Sequence, residues 1–243
     1  MRGSAVAVGA AAMGLLAWAV PPGAAGAGVD RDAQRAVLAA GYEMNEPSGA
    51  TRMNDSSGHG LHGVIDQDGV DTGFQFGGAT GYHWTRRAPN QTPASPERVI
   101  AVRDAAQLDP GTDVFTVALR YRTRENFGNI IQKGQSRSNG GQWKFQNPQG
   151  RPSCLFKGSA GRATARAPVA LSDNRWHRLE CVRAPDSVTM YVDGTRVSRR
   201  NAATGSIDNT SPLTVGGKRN CDQITVTCDY FSGDIDYVRI RRG

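Results

Sequence analysis

The sequence predicts an all-β protein, an antiparallel β-sandwich, on three observations. Turn-forming residues occur throughout the chain, with 30 glycines and 12 prolines in 243 residues. The segments between them are short and alternate apolar with polar residues, which is typical of strands with one buried face. Helical patterns are nearly absent, so there are no connecting helices of the kind that parallel sheets require. Many short strands joined by turns indicate two packed antiparallel sheets.

The N-terminal residues 1–27 have the features of a secretory signal peptide. A single arginine precedes a long uncharged run, and PPGAAGA follows with small residues Ala25 and Ala27 spaced as at a cleavage site. The alternative is a membrane anchor, but the apolar run is shorter than the ~20 residues of a spanning helix and ends in two prolines. We therefore predict a secreted protein with a lead-in at 28–40 and one domain at 41–243.

The lead-in contains the best helical candidate of the mature chain. Its segment DRDAQRAVLAA, residues 30–40, has a period compatible with either a short helix or a flexible lead-in. After it we find no linker, low-complexity tract or internal repeat. Since sandwiches often use more than 200 residues as one unit, a single domain is expected.

Three segments carry the clearest strand pattern. DVFTVALRYRT places its apolar residues from Phe115 to Tyr121 on one face. HRLECVR and SVTMYVDG alternate in the same way. In the last of these, Asp193 and Gly194 follow the strand at once, and this pair accepts the positive φ angles of a tight turn. The chain is therefore predicted to form a hairpin by folding back through TRV.

The four cysteines are expected to form two disulfides, because export exposes thiols to an oxidising compartment. Spacing alone allows three pairings. Cys221 and Cys228 are close enough for a local loop, whereas Cys154 and Cys181 lie in separate strand-like runs, so we favour bonds 154–181 and 221–228. Zinc is disfavoured, because no cysteine pair has C-x-x-C spacing and no matching histidine pair exists.

The chain is basic, with a net charge of +7 from 29 basic and 22 acidic side chains. A basic surface can concentrate nucleic acids, anionic wall polymers or membrane lipids. The basic residues are nearly all arginines and lie scattered rather than in one block. This pattern indicates a solvated surface with a weak bias toward polyanions, and no specific nucleic-acid site.

Four stretches of the chain carry a family resemblance. In order they are YEMNEPSGATRMNDSSGHGLHGVI, LDPGTDVFTVALRYRT, RWHRLECVRAPDSVTMYVDGTRV, and SPLTVGG with FSGDIDYVRI. Together they resemble laminin G-like domains of the concanavalin A-like lectin and glucanase superfamily over residues 41–242. The resemblance implies a jelly roll of two curved sheets. It does not assign an activity, because the superfamily includes sugar-binding lectins, glycan-cleaving enzymes and adhesive modules.

No catalytic residues are predicted. A retaining glycosidase needs two carboxyl groups about 5 Å apart, and the resemblance implies that a glucanase would carry them on one strand as Glu-x-Asp-x-Glu. This motif is absent, and none of the five glutamates has another at i+2 or i+4. Asp234 and Asp236 share a strand face, but turn and hydrogen-bonding roles explain them more simply. We expect the chain not to be an enzyme.

Calcium is the most reasonable ion, because the resemblance implies that such sandwiches often carry one. The candidate ligands are Glu46, Asp55 and Asp236, which lie in the motifs of the first and last strands. Hard cations prefer carboxylate and carbonyl oxygens. The alternative is that Asp55 supports an Asx turn at the following serines and that the other two are ordinary surface acids.

Two stretches combine aromatic residues with amides and charges, as sugar-binding sites do. Tyr82 and Trp84 lie in GYHWTRR, and Arg137, Asn139 and Trp143 lie in SRSNGGQWKFQN. These five are the candidate ligand-binding residues. Either aromatic stretch could equally belong to the core, and the alternation around Trp143 favours the core.

The sequence therefore predicts a secreted, monomeric, non-catalytic module that binds extracellular carbohydrate or an anionic cell-wall polymer. Two alternatives stay open. One is a glycan-active hydrolase with unrecognised carboxylates, and the other is an adhesive domain that binds a protein.

Overall fold

The computed structural model describes residues 36–65, 69–86, 99–219 and 229–243. These residues form two antiparallel sheets packed face to face, which confirms the predicted sandwich. No α-helix occurs within the described ranges, and in this part of the chain no helical segment could cross a bilayer. The predicted signal peptide and the predicted Cys221–Cys228 bond lie outside the described residues.

The strands are short and follow one another with few long connections. In chain order they are β1 (Val37–Tyr42), β2 (Arg52–Met53), β3 (Gly63–Ile65), β4 (Val70–Phe76), β5 (Ala79–Trp84), β6 (Ile100–Val102), β7 (Phe115–Arg122), β8 (Asn129–Lys133), β9 (Gln142–Gln146), β10 (Ser153–Gly158), β11 (Gly161–Arg166), β12 (His177–Ala184), β13 (Ser187–Val192), β14 (Thr195–Asn201), β15 (Leu213–Val215) and β16 (Gly233–Arg242). Two 3₁₀ turns span Ala106–Leu108 and Pro148–Gly150.

Each sheet contains eight of these strands. The first sheet has the order β14-β13-β12-β7-β16-β5-β4, with β1 also paired to β16. The second sheet has the order β11-β10-β9-β8-β15-β6-β3-β2. Strand β16 is therefore central to the first sheet, with β7 on one side and both β5 and β1 on the other.

The start of the domain differs from the sequence prediction. Residues 37–40, predicted as a short helix or a lead-in, form the first part of β1, which pairs with β16 from Val37 opposite Arg242 to Tyr42 opposite Val238. The end of β16 presents backbone groups that β1 satisfies, and the pairing buries Ala40 and Tyr42 completely. Tertiary pairing therefore outweighs the weak local preference of an alanine-rich segment.

The predicted hairpin is present between β13 and β14. Its turn residues Asp193 and Gly194 have φ angles of 49° and 81°, the left-handed values for which Asp-Gly is suited. The Asp193 carboxylate accepts a hydrogen bond from the backbone N–H of Arg178 and contacts His177. The side chains of Asp193 and His177 therefore have structural roles in closing this hairpin.

The core lies between the sheets and is filled by the inward faces of their strands. The apolar residues of β7 from Phe115 to Tyr121 are fully buried on alternate positions, as predicted. Cys154 of β10 and Cys181 of β12 form the predicted disulfide. Because these strands belong to different sheets, the bond joins the two layers through the core.

Lys133 is an exception to the apolar core. Its side chain is fully buried, and its ammonium lies 2.7 Å from Asp109 and 2.8 Å from Asp104. It also donates to the backbone carbonyl of Asn209. These contacts join two connections, β6 to β7 and β14 to β15, at one end of β8. A buried ammonium is tolerated only with such compensation.

Candidate functional site

Three of the predicted ligand-binding residues belong to the core. Tyr82 is fully buried and donates its hydroxyl hydrogen to Glu46. Trp84 is 1% exposed, and Trp143 is fully buried with its indole N–H bonded to the carbonyl of Leu108. The prediction that these three contact a ligand is wrong, because each lies at an inward-facing position of β5 or β9. For Trp143, the preference for the core is confirmed.

The remaining two candidates stay accessible. Arg137 and Asn139 are exposed residues of the loop that joins β8 to β9. The same loop contributes Gln135 and Ser136 to a groove on the outer face of the second sheet. Their role in ligand binding remains a prediction.

The predicted calcium ligands do not come together. Glu46 accepts hydrogen bonds from the backbone and side-chain amide of Asn54, and Asp236 lies 2.7 Å from Arg120. Among the described residues, no group of three carboxylate, histidine or cysteine side chains could hold a metal ion. Each acid is engaged by separate protein donors in this arrangement, and calcium binding at these residues stays a prediction.

Asp55 instead organises a turn, as the alternative interpretation proposed. Its carboxylate accepts hydrogen bonds from the backbone N–H groups of Gly41, Ser57 and Leu61, and from the Ser57 hydroxyl. Burial by itself would raise the pKa of Asp55, but these hydrogen bonds together outweigh it and hold the pKa below its usual value. The carboxylate links the turn to β1, which explains its place in the first motif.

A groove of about 220 Å³ lies on the outer face of the second sheet. Strand β9 shows why the sequence creates it. Its odd-numbered residues Trp143 and Phe145 point into the core, so the polar residues Gln142, Lys144 and Gln146 line the opposite face. The run QWKFQ thus encodes a core face and a polar face in five residues.

The neighbouring strands extend this polar face across the sheet. Lys144 pairs with Gln132 of β8 on one side and with Leu155 of β10 on the other. Arg162 of β11 also lines the groove and is exposed. Because adjacent strands lie about 4.8 Å apart, the groove presents amide and cationic groups at regular intervals across the sheet.

One end of the groove contains a partly buried charged network. Lys218 and Asp229 form an ion pair of 2.7 Å, with side chains 9% and 15% exposed. Asn129 donates its side-chain amide hydrogens to Gln132 and to Asp229, at 2.8 and 3.3 Å. The bond to the Gln132 oxygen leaves the amide NH₂ of that glutamine to donate elsewhere.

The chemistry of the lining residues suits polar ligands. Among the described residues they include four glutamines, which both donate and accept, together with three cations and the carboxylate of Asp229. Amides bind sugar hydroxyls, and the surplus of positive charge favours carboxylate or phosphate groups. Within the described part of the groove, Asp229 is the one carboxyl group, whereas glycoside hydrolysis requires two. The arrangement is therefore suited to binding.

The described lining of the groove contains no aromatic residue, whereas the sugar site predicted from the sequence rested on aromatic residues. The signal that could have found it is the outward parity of polar residues on adjacent strands. Gln142, Lys144 and Gln146 alternate with core aromatics, and SCLFK places Leu155 on the same outer face. Without the order of the strands, these residues cannot be assigned to one surface.

A family model for the concanavalin A-like lectin/glucanases superfamily, of the laminin G type, matches residues 94–242. The chain belongs to this superfamily. The laminin G-like interpretation of its sequence motifs is thereby confirmed. No curated protein matches the sequence.

Solved structures are similar to this laminin G-like domain at low sequence identity. A mouse laminin α1 chain, domains LG4-5, is 23% identical with a TM-score of 0.48, over 59% of this chain and 40% of that one. The binding domain of Paraclostridial Mosquitocidal Protein 1 is 13% identical with a TM-score of 0.56, over 86% and 48%. The laminin G-like domain thus spans less than half the length of these two chains.

A third structure matches over nearly its full length. Domain 4 of AbnA, a GH43 extracellular arabinanase from Geobacillus stearothermophilus, was solved in complex with arabinotriose. It is 15% identical with a TM-score of 0.62, over 86% of this chain and 93% of that domain. At these identities the likeness is one of fold.

Proposed function

We propose that this laminin G-like domain is a secreted, non-catalytic binding module for extracellular carbohydrate, with a preference for anionic cell-wall polymers. Its binding site is the groove on the outer face of the second sheet, together with Arg137 and Asn139 of the adjoining loop. The observation that carries the proposal is the composition of the groove, where the described lining residues place amides and cations on one continuous surface.

The structural neighbours support a binding role. Domain 4 of AbnA is described in complex with arabinotriose, and the mosquitocidal protein segment is a binding domain. Secretion is supported by the Cys154–Cys181 disulfide, which persists in oxidising compartments, and by the extracellular nature of the arabinanase. A carbohydrate ligand in the extracellular space agrees with the binding role and with secretion.

The acid residues of the central strand β16, on the outer face of the first sheet, do not favour hydrolysis. Asp234 contacts His83 and Arg122, and Asp236 contacts Arg120. Each carboxylate is therefore held in an ion pair. The two do not form a free acid and a free base on either side of a substrate bond.

The test is binding of purified protein to a panel of acidic and neutral polysaccharides, measured by affinity electrophoresis and calorimetry. We expect the acidic polymers to bind more tightly and to lose affinity as salt is raised, because screening weakens exposed charge interactions. The double variant Lys144→Ala/Arg162→Ala should weaken this binding by about tenfold or more, since charge-assisted contacts contribute roughly 1.5–3 kcal/mol each.

The matched control is Arg200→Ala, which removes an exposed cation from β14 of the other sheet. It should leave binding of the acidic polymers nearly unchanged. If the control and the groove variant lose equal affinity, the net charge of the protein explains the binding, and the assignment of the site is overturned. Release of reducing sugar from any polymer of the panel would contradict the non-catalytic role.

A further inference from the structure

A second polar and aromatic cluster lies on the outer face of the first sheet, on the opposite side of the sandwich from the groove. It arises from strand parity. On β5, Tyr82 and Trp84 point into the core, so His83 faces outward. On the neighbouring β4, Phe74 and Phe76 lie on the same outer face. We call these residues, with Trp176, Arg120, Arg122, Asp234 and Asp236, the aromatic cluster.

The rings of the aromatic cluster form a continuous chain. The centroids of Phe74 and His83 are 4.9 Å apart with planes inclined by 23°, which is a stacked arrangement. Phe76 lies 4.9 Å from Phe74 and 4.9 Å from the edge-on Trp176. The chain runs from His83 through Phe74 and Phe76 to Trp176, and near its His83 end Phe74 remains 39% exposed.

Two arginines cover the other end. The guanidinium of Arg122 lies 4.9 Å from the centroid of Phe76 and 5.1 Å from that of Trp176, and Arg120 lies 4.7 Å from Trp176. Such contacts fix the guanidinium planes against the rings. Trp176 is thereby held in place, and Phe74 is the ring left open to a ligand.

A buried carboxylate orients His83. Asp234 is 5% exposed and accepts hydrogen bonds from His83 Nδ1 at 2.6 Å and from Arg122 at 2.7 Å. Because a carboxylate can only accept, the Nδ1 atom of His83 carries the hydrogen in this contact, and when the ring is neutral its Nε2 is an acceptor. In the described part of the chain no other group bonds to Nε2, and the His83 side chain is 30% exposed.

The charges of the aromatic cluster cancel. Arg120 is paired with Asp236 at 2.7 Å, and Arg122 is paired with Asp234. This balance distinguishes the aromatic cluster from the groove, where cations outnumber acids. A face with an exposed ring, an oriented acceptor and no surplus charge complements a neutral, hydroxylated ligand with an apolar side.

We propose that the aromatic cluster is a second binding site, which takes the neutral sugar rings of an oligosaccharide. The apolar side of one sugar ring stacks on Phe74, and a hydroxyl of the same or the next ring donates to His83 Nε2. The N–H groups of Arg120 that do not contact Asp236 donate to ring or hydroxyl oxygens. This site acts independently of the groove and does not require an anionic ligand.

The test uses the full chain and four neutral trisaccharides as probes: arabinotriose, xylotriose, cellotriose and mannotriose. Binding is measured by calorimetry and by amide chemical shifts at millimolar sugar. We expect at least one probe to bind with an affinity that does not depend on salt. Phe74→Ala and His83→Ala should each weaken it by about tenfold, while His83→Gln, which keeps an acceptor, should retain part of the affinity.

Phe127→Ala is the matched control, because Phe127 is 40% exposed and lies outside both sites. It should leave trisaccharide affinity unchanged, as should Lys144→Ala/Arg162→Ala in the groove. Melting curves establish that each variant is folded. Failure of all four probes to bind, or equal losses in Phe74→Ala and Phe127→Ala, would overturn the proposal. Loss only in the groove variant would overturn it as well, while leaving the function proposed for the groove intact.

Discussion

Cys154 on β10 and Cys181 on β12 are bonded to each other across the core, and they are 27 residues apart in sequence. The two strands belong to different sheets, so the bond joins the layers that hydrophobic packing alone would otherwise hold together. Both cysteines are almost completely buried. The bond therefore restricts the unfolded chain, and in the folded chain it lies inside the core.

Replacing both cysteines should lower stability substantially. In the chain-entropy model, a loop of this length contributes about 3–4 kcal/mol. For a domain of about 200 residues, Cys154→Ala/Cys181→Ala should lower the melting temperature by about 10 °C. Calorimetry of the variant and the parent measures this. Peptide mapping without reduction provides the control, and a peptide linking Cys154 to Cys221 would contradict the pairing.

The buried ion pair of Lys133 predicts a strong effect of removing one partner. Burial is the main influence on Asp109 and raises its pKa, while the ammonium of Lys133 opposes that shift. Lys133→Met would leave the Asp109 carboxylate buried without its cation. We expect a loss of about 3–5 kcal/mol in the free energy of unfolding, measured by urea denaturation.

The double variant Lys133→Met/Asp109→Leu is the control for this effect. It removes both charges and should recover part of the loss, because an apolar pair does not carry the desolvation cost of a lone carboxylate. A loss in the double variant equal to the sum of the losses in Lys133→Met and in Asp109→Leu alone would show that the two residues do not act as a pair.

The hydrogen bonds of Asp55 predict a contribution to acid stability. The pKa of Asp55 is lowered in the folded protein, whereas in the unfolded chain it is about 3.9. The stabilisation is therefore complete above that value and is lost as the pH falls through the folded pKa. Asp55→Asn should cost about 1–3 kcal/mol at neutral pH, because one accepting oxygen becomes a donor facing donors.

Urea denaturation at several pH values between neutral and acidic measures this contribution. The difference between the parent and Asp55→Asn should shrink below about pH 4. Asp208→Asn, at an exposed residue whose side chain makes no hydrogen bond in the described structure, should not change the profile. A difference that stays constant down to the lowest pH would show that the charge of Asp55 is not responsible.

The agreement between prediction and structure is closest where a signal is local. Alternation in β7 and the Asp193-Gly194 pair set strand faces and a turn within a few residues, and both are as predicted. The placement of the site residues depends on contacts between residues that are far apart in the sequence. The choice between the core and the surface for Tyr82 and Trp84 depended on which face of β5 the second sheet covers.

The sequence by itself determined the class of fold, because the period of apolar residues and the chemistry of turns act between near neighbours. It also favoured the bond between Cys154 and Cys181 from their place on separate strand-like runs. The tertiary structure alone decided which outward residues share a surface. Gln132, Lys144 and Leu155 come from three strands, and His83 and Asp234 are 151 residues apart in sequence. Such neighbours are set by the order and register of strands. These arise from the packing of the whole chain and cannot be read from any single segment.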